Sequence, residues 1–247
     1  MHTTTAGIVT VGDELLAGEI ENTNATWLAA RLRNRGVSVR EIRVVPDELD
    51  PIARTVGTCA DRYDATLVTG GLGSTPDDVT MAAIAMALER PLVPHDEARA
   101  LIRETVAEIH ERRTSFTFDL DAACQRPQGA AVIPNDEGIA PGCRCESVYV
   151  LPGIPSEMRA VFGRIEPEFA GTRTTETVYS NRPESNIAPT LAEGRDRFGV
   201  KIGCYPGGEW KRITVAGTDQ EAVDAARRWL LDRAGFSSER RSASGEE

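Results

Sequence analysis

The densest group of residues able to do chemistry is Thr69 to Asp78, TGGLGSTPDD, in which Gly70, Gly71 and Gly73 stand beside Ser74, Thr75, Asp77 and Asp78. Glycine lets backbone N–H groups approach an anion closely, and the unpaired amides and dipole of a helix that starts just after such a loop favour negative charge. The anion this junction suits is a phosphate. Two common nucleotide fingerprints are excluded: the segment lacks the Gly-Lys-Ser/Thr ending of a P-loop, and Pro76 occupies the place of the third glycine of the dinucleotide pattern. The same residues also fit a tight strand-to-helix turn with Asp77 or Asp78 as the helix cap.

Three further turns follow stretches that read as strands: Gly12-Asp13-Glu14, Pro46-Asp47-Glu48, and Pro152-Gly153-Ile154-Pro155-Ser156-Glu157. Parallel strands would bring all four loops to one edge of a sheet, where open α/β folds bind ligands. The resulting rim would combine amide donors with Asp13, Glu14, Asp47, Asp77 and Asp78. Carboxylates beside a phosphate call for a divalent cation between them, Mg²⁺ being the natural candidate, because bare like charges repel. Glu14 and Glu48 are expected to cap helices or face solvent.

The elements that must position these loops alternate. Ala6 to Val11 runs apolar and β-branched without alternation, as in a strand buried on both faces. Asn22-Thr23-Asn24 offers caps to a helix carrying Trp27, Leu28 and Leu32, and Gly36 ends it. Val37 to Val45 reads as a second strand, Leu49 to Ala60 as a second helix, and Ala65 to Thr69 as a third strand. Asp77 and Asp78 are expected to open a helix carrying Met81, Ile84 and Leu88. A long helix is expected from Asp96 to about Arg113, then a less regular stretch to Gly142, a strand at Ser147 to Leu151, and a short helix through Met158 and Phe162. This alternation predicts a three-layer α/β sandwich with a mostly parallel sheet over residues 1–170. Residues 171–235 read as strand, helix, strand, strand, helix, a small α+β domain with Gly207-Gly208 turning between its last two strands. Residues 236–247 are expected to be a disordered tail.

Of 247 residues, 40% are hydrophobic and 27% charged, which fits a soluble globular chain. The longest apolar run, Met81 to Leu88, is far short of the roughly 20 residues of a membrane span. Without a basic start and apolar stretch in the first twenty residues, a cytoplasmic location is expected. Against 28 Lys plus Arg stand 38 Asp plus Glu, a formal charge of −10 that repels the phosphate backbone of nucleic acids. Lys201 and Lys211 are the only lysines, an acidic, Lys-poor balance that suits either a salt-rich cytoplasm or a GC-rich genome. The five cysteines are odd in number and scattered, which argues for reduced thiols. Only Cys143 and Cys145 are spaced to share a soft metal, and they lack a second Cys or His pair.

Val11-Gly12-Asp13-Glu14-Leu15-Leu16 with Gly18-Glu19-Ile20 and Asn22-Thr23-Asn24, then TGGLGSTPDD with Thr80, Asn135, Gly138, Ala140-Pro141-Gly142 and LPGIPSEM at Leu151 to Met158, resemble the N-terminal domain of the CinA family. The match covers roughly residues 6 to 170, and the segment from Glu184 onward looks like the small domain that follows in CinA relatives. That N-terminal domain is similar to the MoaB and MogA proteins, three-layer sandwiches that bind molybdopterin.

The resemblance implies a ligand loop at Gly70, Gly71, Gly73, Thr75, Asp77 and Asp78, with Ser74 between them where relatives usually have Pro. It implies a functional acid at Asp47 and a second binding loop at Pro152, Gly153, Pro155, Ser156 and Glu157. The cation that many relatives carry at the place of Pro76 is missing, which weakens the case for catalysis more than for binding. The expected ligand is a phosphorylated pterin such as molybdopterin, or a nucleotide. The resemblance also implies hydrolysis of a pyrophosphate such as ADP-ribose, in which Asp77 and Asp78 would hold Mg²⁺ or another divalent ion and Asp47 or Asp13 would act as base. A non-catalytic scaffold is the third reading. The C-terminal amidohydrolase domain of full-length CinA is expected to be absent, so nicotinamide-mononucleotide deamidation is not carried over. Homo-oligomers, dimers or trimers, are expected from the relatives alone.

Overall fold

The computed structural model describes residues 4–73, 75, 77–112 and 119–240, with the side chains of 109–112 left aside. Ser74 and Pro76 of the predicted ligand loop, and residues 241–247 of the expected tail, lie outside the described residues. The chain divides into two compact units, Met1–Gly171 and Thr172–Glu247.

In the first unit β1 (Thr5–Val11) leads through a single turn, α1 (Asp13–Leu16), into α2 (Thr23–Asn34). There follow β2 (Ser38–Val45), α3 (Leu49–Arg62), β3 (Ala65–Thr69), α4 (Thr80–Ala87), β4 (Leu92–Pro94) and α5 (Asp96–Arg112). After α6 (Leu120–Ala123) come the short strands β5 (Gln125–Pro127), β6 (Ala131–Ile133), β7 (Gly142–Cys145) and β8 (Val148–Leu151), and then α7 (Pro155–Ile165).

Six strands form one sheet in the order β2-β1-β3-β8-β7-β6. The pairs β1–β2, β1–β3 and β3–β8 are parallel, and β7 runs against both its neighbours. Unbroken apolar strands split by parity onto two faces. Ala6, Ile8, Ala65, Leu67, Tyr149 and Leu151 meet α2 and α7 through Leu28, Leu32, Met158 and Phe162. Val9, Val11, Val68, Val148 and Val150 meet α3 and α4 through Ile52, Val56 and Ile84. A sheet lined this way must have helices on both sides, and the result is the three-layer sandwich.

Two expectations are corrected. The helix after the glycine loop begins at Thr80 with Val79 at its cap position, and no side chain caps it. Asp77 and Asp78 precede it, because the Asp78 carboxylate is taken up by the loop itself. The stretch before Gly142, expected to be irregular, contributes β6 to the central sheet and β5, which pairs with β4.

The second unit holds β9 (Thr174–Ser180), α8 (Glu184–Phe198), β10 (Lys201–Tyr205), β11 (Lys211–Gly217) and α9 (Gln220–Leu231). Its strands form an antiparallel sheet in the order β10-β11-β9. Gly208, at φ +70°, turns the chain between β10 and β11. Ser237, expected to lie in a disordered tail, exchanges two backbone hydrogen bonds of 2.8 Å with Tyr179 on β9, so residues up to there continue the sheet edge. Among the described residues no helix is long and apolar enough to cross a membrane.

Candidate functional site

Register brings the strand ends together: Val11 lies opposite Val45, Thr10 opposite Thr69, and Thr69 opposite Leu151. The four loops predicted to converge therefore leave one edge of the sheet side by side. Two of them extend the ladder by one bond, Gly12 N–H to Val45 O at 3.1 Å and Gly70 N–H to Leu151 O at 3.2 Å. Between them lies an open cleft of about 410 Å³. Gly12, Asp47, Gly70 and Gly71 line it, as do Asp77, Asp78, Gly153 and Pro155. Asp13, Gly73, Thr75, Pro152, Ser156 and Glu157 do not line it and act from behind or turn elsewhere.

The glycines let two loops meet at the backbone. Gly70 has φ +107°, and a side chain there would place its Cβ 2.3 Å from Val11 O. Gly71 has φ +65°, and a Cβ on it would fall 2.3 Å from the Thr80 hydroxyl. A Cβ on Gly153 would lie 3.2 Å from the Gly70 Cα, so the β3 and β8 loops touch without any intervening side chain. Gly70 N–H is used by Leu151 O, whereas the N–H groups of Gly71 and Gly153 make no hydrogen bond among the described residues. Free amides on a bare backbone surface form an anion cradle.

The acids divide into two sorts. Asp78 is structural: its Oδ1 accepts from Gly73 N–H at 2.7 Å and its Oδ2 from Thr75 N–H at 2.9 Å and the Thr75 hydroxyl at 2.5 Å. It closes the loop that carries it. Asp47 lines the cleft. Its Oδ2 accepts the Asp13 N–H at 2.9 Å, and burial, followed by the charges of Asp13, Glu14 and Asp77, pushes its carboxyl above the ordinary range. Asp77 is exposed, and hydrogen bonding around Thr75, followed by its own backbone N–H, holds its carboxyl below that range. Two carboxylates of one cleft are thus pushed in opposite directions.

Glu157 turns away from the cleft. Its Oε2 accepts from Asn135 Nδ2 at 2.8 Å, and the same amide reaches Ala140 O at 3.0 Å, which pins the loop before β7 onto the start of α7. Burial raises the Glu157 carboxyl. Pro152 is buried, and its carbonyl accepts from the Thr69 hydroxyl at 2.6 Å. Ser156 is exposed.

Sequence reasoning missed Asn24 and Thr69. Asn22 caps α2 by accepting from Ala25 N–H, and its amide donates to Thr10 Oγ1 at 2.9 Å. That frees Asn24 to donate to Gly153 O at 2.7 Å and to Thr69 Oγ1 at 3.3 Å. Through these bonds α2, β3 and the β8 loop hold one wall of the cleft together. The one signal was the second Asn of Asn22-Thr23-Asn24, redundant as a cap.

For a divalent cation the fit is incomplete. Among the described residues no three His, Cys, Asp or Glu side chains are grouped to hold a metal ion, and both oxygens of Asp78 already accept from the loop. Protein groups of the described residues alone therefore do not build a cation cage. Cys143 and Cys145 are buried on β7, and burial pushes the Cys143 thiol up to about 12, so it stays a thiol.

A mostly parallel sandwich with a glycine-lined cleft at the carboxyl edge of its sheet defines a ligand-binding α/β protein. Residues 7–170 match the family described as "probable molybdopterin binding domain", and the chain belongs to that family. Residues 173–238 match the model described as "FAD synthase, middle domain". A protein of Pyrobaculum calidifontis is 40% identical over 92% of this chain and 95% of its own length, and protein PYRAB15930 of Pyrococcus abyssi is 34% identical over 92% and 96%. The crystal structure of the protein CinA from Thermoplasma acidophilum is similar, with TM-score 0.61 and 31% identity over 67% of this chain and 98% of that one. The expected CinA-type N-terminal domain is what the family match and that structure show.

Proposed function

We propose that the cleft binds a phosphorylated pterin or nucleotide, with a phosphate on the Gly71 and Gly153 amides. One observation carries this reading: two glycine loops pack backbone to backbone at the ligand edge of the sheet and leave N–H groups unpaired beside an open cleft. A plain strand-to-helix turn needs neither feature. The family's description, molybdopterin binding, supports the pterin. The FAD synthase match of the second unit supports an adenine dinucleotide, whose pyrophosphate would suit the same cradle. Calorimetry with molybdopterin and with ADP-ribose, in KCl with and without Mg²⁺, tests it. Binding of either supports the reading, and silence with both leaves the scaffold.

The opposite displacement of Asp47 and Asp77 favours a second reading, hydrolysis of a pyrophosphate of the ADP-ribose type. Asp47, with the higher proton affinity, would take the proton of a water whose oxygen bonds to one phosphorus as that phosphorus loses the bridging oxygen, the other phosphate monoester leaving with it, while the amides hold the phosphoryl charge. Asp78→Asn would be a poor test, since that side chain closes the loop. Asp47→Asn is the sharper one: hydrolysis requires that formation of AMP and ribose 5-phosphate from ADP-ribose fall by at least about a hundredfold, and unchanged turnover removes Asp47 from the chemistry.

A further inference from the structure

Strand β2 ends the six-stranded sheet, so one of its sides has no neighbouring strand among the described residues. The Val45 carbonyl accepts from Gly12 N–H at 3.1 Å and the Arg43 carbonyl from the Thr10 hydroxyl at 3.1 Å, which turns both toward β1. Backbone groups alternate in direction along a strand, so the N–H and C=O of Ile42 and Val44 point outward. Such an edge is a template for pairing with another strand. Ile42 stands in the middle of it and is 47% exposed.

The charges beside Ile42 select the partner strand. Glu41 and Arg43 flank it and share one face, where Arg43 Nε donates to Glu41 Oε1 at 2.5 Å. Two copies of β2 run antiparallel across a two-fold axis through Ile42 would set each Glu41 opposite Arg43 of the second copy, and Ile42 opposite Ile42. With Ile42 at the hydrogen-bonded position, Glu41 and Arg43 fall at the non-hydrogen-bonded positions, where opposed side chains come closest. Moving the axis by one residue sets Glu41 against Glu41 or Arg43 against Arg43, and an axis between residues pairs outward with inward backbone groups. One register therefore satisfies both charge and hydrogen bonding. Ala6 lies opposite Val39 and Gly7 opposite Glu41, so a bulge at Arg40 ends the straight run and keeps the ladder short. A ladder of that length makes a reversible association rather than an obligate one.

We infer that the outer edge of β2 joins two copies of this chain into a two-fold dimer, with Ile42 on the axis and reciprocal Glu41–Arg43 pairs on either side of it. The contact is isologous and closes at two copies. Glu41, Ile42 and Arg43 do not line the cleft, so the inference stands apart from the ligand. The charge of −10 on each copy opposes association at low salt, whereas in about 0.15 M KCl a Debye length of about 8 Å screens the distant charges and leaves the contact pairs.

Sedimentation equilibrium of the full chain in that buffer should show a monomer–dimer equilibrium, and Ile42→Lys should raise its dissociation constant about tenfold or more. Glu41→Arg and Arg43→Glu each give the edge a single sign, so each variant alone should be monomeric. Mixed in equal amounts they should form a dimer of one copy of each, and the double exchange in one chain should restore the homodimer. A monomeric wild type, single variants as dimeric as the wild type, or a mixture that stays monomeric overturns the interface. A trimer or larger assembly that these variants leave unmoved overturns it as well. An unchanged melting temperature verifies the fold of each variant. Glu41 also accepts from the Tyr63 hydroxyl at 3.0 Å, so if Glu41→Arg does not fold, Arg43→Glu and Ile42→Lys, both at exposed positions, carry the test.

Discussion

The side chains that hold the cleft are mostly not those expected to do chemistry. Asp78 reads in sequence as a helix cap or a metal ligand, but short acidic side chains cap helices and close loops with the same donors, and residue type alone does not separate these roles. The place of Asp47 on the rim was legible, because the turn Pro46-Asp47-Glu48 follows a stretch that reads as a strand. Its raised carboxyl makes a stability prediction. A group that binds its proton more tightly when folded favours the fold below its ordinary range and opposes it as pH rises through the raised value. Asp47→Asn should therefore stabilise the protein at pH 7, by up to about 1 kcal/mol in urea titration, with the gain vanishing near pH 4. Destabilisation at pH 7 would contradict this assignment. Thr69 carries the opposite expectation: it is buried and its hydroxyl serves Pro152 O and Asn24, so Thr69→Val should cost about 1–2 kcal/mol.

At the scale of elements, β1, β2, β3 and β8 were legible because apolar, β-branched runs ended at glycine or proline, and the helices between them carry apolar stripes. The strands β4 to β7 were not, since each is three or four residues without the apolar run ending at a Pro-Gly turn that marks the equally short β8. That four loops share an edge follows from parallel pairing, whereas the contact of Gly70 with Gly153 does not: it depends on a close approach that only coordinates reveal. Gly70→Ala forces a Cβ onto Val11 O at positive φ, and should lower stability by about 2 kcal/mol or more and abolish ligand binding. At the opposite edge of the sheet Asp64 ties the start of β1 to β3. Its carboxylate accepts from the hydroxyls of Thr4 and Thr5 and both their N–H groups, which hold it at about 2. A depressed carboxyl contributes stability above its ordinary range and loses it as pH falls toward the folded value. Asp64→Asn should thus weaken the protein at pH 6 by about 1 kcal/mol, allowing for solvent screening, and the difference should shrink between about pH 4 and pH 2.

The whole molecule carries a charge of −10 with two lysines, and self-repulsion of that size opposes compactness until counterions screen it. If the composition is an adaptation to salt, the melting temperature should rise by about 5 °C or more between low and multimolar KCl. A flat or falling curve assigns the composition to genome bias. The same negative field makes an anionic ligand depend on local amide donors rather than on the general surface potential, and those donors can be read residue by residue. The most direct measurement is an amide NMR titration of the labelled protein with molybdopterin and with ADP-ribose. The largest shifts should fall on Gly71 and Gly153, with smaller ones at Gly12 and Asp47. Shifts that leave both glycines unmoved while either compound binds would contradict the cradle.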